Sequence, residues 1–450
     1  MDLVINNGFV VDPKNGVYSK LNIGIQNGRI QELSLAELRG EETVDAQGLV
    51  VAPGFIDAHM HEGSYDRETG RFEEDILECM LRMGVTTAIG GNCGSGPDDP
   101  GEYLDAVDRC GSPVNLAMLV PHASLRKIAG AENKYAFVPS KSCSVMREAA
   151  EQYLSQGCIG ISFGIRYIPG INREELFSVC SAAQQSRKII AAHIRDDAGK
   201  VIPSIEEIAE LYEQLGVPVQ VSHIGSMGGY GQMKELLSLL DFYKASGMDI
   251  AADCYPYTAF STDIGETTYD EGFMERYDTG YENIEIAEGI YRGRRCTEEL
   301  FKKLRAEAPD TITIGHVMKE SEIDMAIAHP GVLVGSDGYL HRGEGHPRAA
   351  GTFPRVISEY VKKKKLLTLY DAVNKMSWQT AKRFGLQKGG LEIGSDADAV
   401  IFSLEEMEDR GTFENPTAVP SGIKYVIIKG QAALRDGKII NPRLGRAVRK

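Results

Sequence analysis

The sequence predicts an α/β fold, a distorted (β/α)8 barrel with a small composite β-domain, and three observations predict it. Eight apolar β-type runs alternate with amphipathic stretches at the spacing of strand–helix units. Short β-type runs separated by turn residues gather at both ends of the chain. Histidines, a cysteine and an aspartate stand where the apolar runs end, which is where such barrels gather reactive groups.

From the N-terminus to about residue 52, Leu3-Val4-Ile5, Phe9-Val10-Val11, Leu21 to Ile25 and Arg29-Ile30 alternate with Gly or Asn turns. That is too little to stand alone as a sheet. Ala399 to Phe402 and Lys424 to Ile428, running into a turn at Gly430, repeat the style near the other end. Two half-sheets at opposite ends most simply pair, which predicts a β-domain built from 1–52 and 392–450 around an insert of 53–391.

Within the insert the runs are Val50 to Ala58, Thr86 to Gly90, Val114 to Val120, Cys158 to Phe163, Lys188 to Ala192, Val217 to Ser222, Met248 to Asp253 and Val332 to Gly335. Eight strands suggest a closed parallel barrel of the TIM type. Thr311 to His316 is a ninth candidate, assigned to the long excursion 254–330. The tyrosine-rich, acidic part of that excursion, about 263 to 288, is expected to act as a lid.

Composition narrows the function. With 42% hydrophobic and 25% charged residues over 450 positions, the chain has the balance of a soluble globular protein with a sizeable core. A net charge of −15 argues against nucleic acid or an anionic membrane as partner and says little else. The one basic run, Lys362 to Lys365, reads as a solvated helix face. Met1 to Gly8 lack the basic start and apolar core of a signal peptide, and no apolar run approaches the ~20 residues of a membrane span, so a cytoplasmic protein is expected. Eight cysteines (Cys79, Cys93, Cys110, Cys143, Cys158, Cys180, Cys254, Cys296) show no CxxC pair and read as buried thiols, Cys93 excepted.

The chemistry starts in Leu49 to His61, an apolar run interrupted by Pro53-Gly54 and ending in His59-Met60-His61. Alternate side chains of a strand share a face, so two imidazoles would point one way, an arrangement suited to a divalent metal such as zinc. A lone His-x-His is common on surfaces. The other run ends supply the rest: Gly90-Gly91-Asn92-Cys93-Gly94, His193, His223 and Ser336-Asp337-Gly338. Six metal-capable side chains thus fall where one barrel mouth would collect them.

These residues sit in wider motifs. Pro53 to His61 resembles the first-strand motif of the amidohydrolase superfamily, and Gly91-Asn92-Cys93-Gly94 resembles the cysteine motif of its N-acyl-D-amino-acid deacylase (D-aminoacylase) family. Tyr167-Ile168-Pro169-Gly170, His193-Ile194-Arg195, Ser222-His223, Tyr255-Pro256-Tyr257-Thr258, Gly335 to Gly338, His346-Pro347-Arg348 and Gly351 to Arg355 are similar to further motifs of that family. The likeness spans nearly the whole chain.

The resemblance implies one tight zinc site of Cys93, His193 and His223, with the thiolate where many relatives use a carboxylated lysine. It implies a second, weaker metal position bordered by His59, His61 and Asp337. Zinc lowers the pKa of bound water to about 7 and polarises an amide carbonyl. Asp337 would take the proton of the water and deliver it to the departing amine, acting as general base and then acid. The reaction expected is hydrolysis of a linear amide, removing an N-acyl group from a D-amino acid or a related N-substituted amino acid.

Two departures bear on the substrate. The resemblance leads one to expect a lysine two residues after His223, where this chain has Gly225. Arg348 and Tyr257 are then the candidate anchors for the substrate carboxylate, and Arg166 or Arg195, read near the mouth, could replace the lysine. After His61 the chain reads Glu62-Gly63-Ser64-Tyr65-Asp66, which with the lost lysine makes the pocket more negative and suggests a cationic substrate side chain. His122 is read as possible pocket lining, His316 and His329 as structural. Two alternatives stay open: a cyclic-amide hydrolase of the hydantoinase or dihydroorotase kind, and a non-catalytic scaffold. Cys93 and the absence of a lysine from Cys158 to Gly164 favour the deacylase branch.

Overall fold

The computed structural model describes residues 1–73 and 75–450. Eight parallel strands form the expected barrel sheet: Phe55–Asp57, Val85–Gly90, Asn115–Pro121, Gly160–Gly164, Ile189–His193, Val219–Val221, Ile250–Cys254 and Val332–Val334. Each pairs with the next in chain order. The strands are apolar and buried on both faces, as parallel strands covered by helices must be. Capped helices connect them. Asp99 accepts the N–H of Glu102 to start the helix Pro100–Cys110, and Asn172 accepts the N–H of Glu175 to start Arg173–Ser186.

The distortion lies at the seam. The first and eighth strands share no regular ladder. They are joined beyond their ends, where Asp337 N–H donates to the His59 carbonyl (2.7 Å) and His61 N–H to the Gly338 carbonyl (2.9 Å). The buried Asp57 carboxylate spans the same seam, accepting the N–H groups of His59 (3.0 Å) and Ser336 (2.9 Å) on one oxygen. Burial pushes this carboxyl up to about 6 against those hydrogen bonds.

The run Val50 to Ala58, read as one strand, is two. Val50–Pro53 belongs to the terminal sheet and Phe55–Asp57 to the barrel, with Gly54 between them. A Cβ at Gly54 would stand 2.1 Å from Oγ1 of Thr86, so only glycine lets the chain pass from one sheet to the other here.

The terminal sheet has nine strands drawn from both ends of the chain. Ala399–Phe402 pairs antiparallel with Val50–Pro53, Val400 opposite Ala52, and that pairing unites the C-terminal strands with Leu3–Asp12, Val17–Gln26 and Arg29–Ser34. Ile5, Ile23, Val51, Ile401 and Ile427 fill a core of its own. The opposite end of the barrel is closed by Phe384 and Leu386, which pack with Ile56, Ile89, Leu119 and Leu333. The ninth β-type run is the middle strand of a separate antiparallel sheet, Ile312–Gly315 between Phe260–Asp263 and Ile284–Ile286. All eight cysteines are free thiols. Among the described residues no helix is long and apolar enough to cross a membrane.

Candidate metal centre and substrate cavity

Loops leaving the C-terminal ends of the first, second, sixth and eighth strands bring His59, Cys93, His223 and Asp337 together. One ligand atom from each lies within 4.8 Å of the others, and all four residues are buried. Cys93 Sγ is 3.3 Å from His59 Nε2 and 3.2 Å from His223 Nε2. Asp337 Oδ1 is 3.4 Å from His59 Nε2 and 3.1 Å from His61 Nε2. His193 stands beside the group, its ring 4.4 Å from that of His223 and 4.5 Å from Tyr167, and its Nδ1 has no hydrogen-bond partner. The barrel mouth therefore gathers all six expected ligand candidates, four in the tight group and His61 and His193 at its edge.

The backbone bends to achieve this. Cys93, His223 and Asp337 have φ of 53°, 33° and 49°, the left-handed region that non-glycine residues avoid. Three such residues in one group of four is strain held where it aims side chains.

Charge sets the protonation. Burial pushes the thiols of Cys79, Cys158 and Cys254 up to about 12. Cys93 is buried too, yet the imidazoles of His59 and His223 outweigh burial and hold its thiol well below the ordinary value. Burial would likewise raise Asp337, but Arg348, His223, His61 and His59 keep it well below the usual carboxylate range. The donor set is a thiolate, imidazoles and a carboxylate, which fits a borderline ion such as zinc.

A second ring of contacts fixes the ligands. Asp253, the penultimate residue of the seventh strand, accepts the backbone N–H of His223 (2.8 Å) and lies 3.3 Å from His59 Nδ1. Its other oxygen accepts from Gln220 Nε2 (2.8 Å), and Ser226 Oγ is 2.9 Å from His223 Nδ1. Such partners set ring orientation and tautomer. Sequence reading passes over Asp253, although it closes an apolar run just as the ligands do.

The group opens into a cavity of about 430 Å³ lined by Cys93, His61, Tyr167, Asp337, Tyr339 and Arg348 among others, within the size range of small-molecule sites. Arg348 is 2% exposed, its Nη1 2.9 Å from Asp337 Oδ2 and its Nε without a hydrogen-bond partner. Tyr257 does not line the cavity: its hydroxyl donates to Asp409 (2.7 Å) and Arg355 covers its ring. Arg195 is held by Glu207 and Arg166 by Asp196, so neither stands free in place of the lysine. His122 is buried against Glu175 (3.0 Å), and His316 and His329 pair with Glu285 and Asp241. At Gly225 a Cβ would meet Cys254 Sγ and Ile323 Cδ1, each at 2.9 Å, so the position has no room for a lysine without rearrangement.

Comparison with known proteins identifies the family. The model of the amidohydrolase family matches residues 50–433. D-aminoacylase of Alcaligenes xylosoxydans xylosoxydans is 31% identical, covering 99% of this chain and 97% of the relative. N-acyl-D-glutamate deacylase of the same organism is 30% identical, covering 98% and 96%. The crystal structure of N-acyl-D-glutamate deacylase from Bordetella bronchiseptica, complexed with zinc and a phosphonate mimic of the tetrahedral intermediate, superposes with a TM-score of 0.88 at 28% identity over 100% of both chains. The fold, the thiolate–imidazole group at the barrel mouth and these matches lead to one statement: the chain belongs to the amidohydrolase family.

Proposed function

We propose that this chain hydrolyses the linear amide of an N-acyl-D-amino acid, consuming water and releasing a carboxylate and a free amine. The observation that carries the reading is the convergence of Cys93, His59, His223 and Asp337 beside a substrate-sized cavity that Cys93 and Asp337 line. Cys93, His193 and His223 would hold a tight zinc ion, with His59, His61 and Asp337 bordering a second position. Bound there, zinc would supply an acidified water and a polarised acyl carbonyl.

The remaining work falls to the chain itself. Asp337, ionised at neutral pH, accepts a proton from the attacking water on its Oδ1 edge and returns it to the amine nitrogen as the C–N bond breaks. Arg348, which lines the cavity, grips Asp337 on the opposite oxygen, and its guanidinium would hold a substrate carboxylate. We assign 53–391 to the hydrolase barrel, 1–52 and 392–450 to the β-domain, and the excursion 254–330 to the cover of the site. Support for the last comes from Ser261, Thr262, Asp263 and Glu266, which line the cavity. Unpaired cysteines support a cytoplasmic setting.

Cysteine in place of a strand-four lysine favours linear over cyclic amides, and an intact ligand set disfavours a scaffold. A zinc-supplemented screen of N-acyl, N-formyl and N-carbamoyl D- and L-amino acids beside hydantoins tests the reading. Release of free D-amino acid from the acyl compounds is expected. Preferred ring opening of a hydantoin would transfer the chain to the cyclic-amide branch, and a zinc content near zero that added zinc does not restore would leave the scaffold.

A further inference from the structure

The charges lining the cavity do not balance. Five carboxyl groups (Glu62, Glu132, Asp263, Glu266, Asp337) face two permanent cations, Lys134 and Arg348, and one imidazole, that of His61, which lies 3.1 Å from Asp337. Both cations are already engaged: Arg348 with Asp337 at 2.9 Å, Lys134 with Glu266 at 3.3 Å. Glu62 accepts the N–H of Gly91 at 2.7 Å. Asp263, at the end of the strand Phe260–Asp263, is half-buried, no Lys or Arg among the described residues forms an ion pair with it, and the His341 imidazole whose charge reaches it is paired with Glu288 at 2.7 Å.

A buried cation lies in the same cavity. Arg348 is 2% exposed, lines the cavity, and has an enclosed Nε with no hydrogen-bond partner among the described residues, so its guanidinium keeps donor capacity for an anionic group. One cavity is thus lined by a guanidinium with spare donor capacity and by a carboxylate that no Lys or Arg pairs. A small molecule that satisfies both carries a carboxylate and a cation. Tyr339 lines the cavity near Asp263, whose charge, after burial, helps push the tyrosine hydroxyl up to about 12. Its ring offers a surface for an aliphatic stem and a face for a cation.

Resting on the deacylase reading above, we propose that the preferred substrates are N-acyl-D-amino acids whose side chain ends in an amine or guanidine, held by Asp263 with Glu266 beside it, while Arg348 takes the α-carboxylate. The local field agrees. Burial and the like charges of Glu266, Asp310 and Glu288 push Asp263 up to about 7, the state of a carboxylate short of positive charge. An acidic side chain placed there would meet like charge in a half-desolvated pocket, which an interface penalises strongly.

The test uses the zinc-loaded full chain and four substrates: N-acetyl-D-lysine, N-acetyl-D-arginine, N-acetyl-D-norleucine as the neutral match to lysine, and N-acetyl-D-glutamate. Lysine and arginine derivatives are expected to exceed norleucine in kcat/KM by about tenfold at low salt, a gap that narrows as ionic strength rises. In D263N the lysine-to-norleucine ratio should fall toward one. Turnover of norleucine or glutamate equal to or better than lysine overturns the cationic preference and leaves the deacylase reading in place. Absence of zinc-dependent turnover of all four overturns both.

Discussion

The Asp253 carboxylate lies 3.3 Å from Nδ1 of His59, and with the same oxygen it accepts the backbone N–H of His223. One buried side chain therefore orients two members of the metal group, each from a different barrel strand. D253N keeps the size but loses the charge, and should weaken zinc binding by about 10–100-fold. Competition with a fluorescent chelator measures this directly, and far-UV circular dichroism checks that the barrel survives.

Cys93 is the thiol whose neighbours hold it as thiolate, whereas Cys79 is pushed up to about 12 by burial. C93A should lower zinc affinity by more than about 100-fold, since losing a ligand costs more than losing its support. C79A should bind the metal as the wild type does. Metal content after equilibrium dialysis separates the two.

R348K retains a charge but gives up the planar fork that can hold Asp337 and a substrate carboxylate together. A fall in kcat/KM of about 100-fold is expected, carried by both parameters because one guanidinium serves both contacts. A loss confined to KM would remove Arg348 from the support of Asp337.

Introducing a lysine at Gly225 should not create an anion site. Its Cβ would press on Cys254 and Ile323 at 2.9 Å, and overpacking of this kind costs about 1–3 kcal/mol. Urea unfolding of G225K should show that loss, and the denaturation midpoint of a double variant that also shrinks Ile323 to alanine should recover part of it.

Away from the metal group, Glu175 joins His122 (3.0 Å) to Arg126, whose guanidinium also holds the carbonyls of Asn133 and Ala136. Burial raises this carboxyl, but Arg126 and His122 bring it below its ordinary 4.5. A depressed carboxylate stabilises the fold fully above its unfolded value and loses that contribution as pH falls through the folded one. E175Q should therefore be destabilised by about 3 kcal/mol at pH 7, and the gap to wild type should close below about pH 4.5 in parallel urea titrations.

The barrel was legible because parallel strands covered on both faces leave continuous apolar runs, and all eight were visible as such. The seam between sheets at Gly54 was hidden, since Val50–Pro53 and Phe55–Asp57 are equally apolar and only the close approach of Thr86 separates them. The six ligand candidates were legible from their place at run ends. Asp253 stood in the same kind of place but carries no metal-binding motif, and its role shows only when His59 and His223 meet around it. Tyr257 shared a motif with the site, yet its hydroxyl turns to Asp409, a partner 152 positions away that no local pattern announces. Arg166 and Arg195 are likewise held by acids, Asp196 at 30 positions and Glu207 at 12, contacts that their own motifs do not announce.

His61 and Asp337 are 276 positions apart and meet where the first and last barrel strands join. The metal group is thus a property of the finished ring and of no shorter piece. On a ribosome, a nascent chain would carry His59, Cys93 and His223 well before it carried Asp337, so the complete cage cannot form until most of the polypeptide has emerged. The second position is then the last to be completed, because Cys93, His193 and His223 all emerge well before the eighth strand and the Asp337 that follows it.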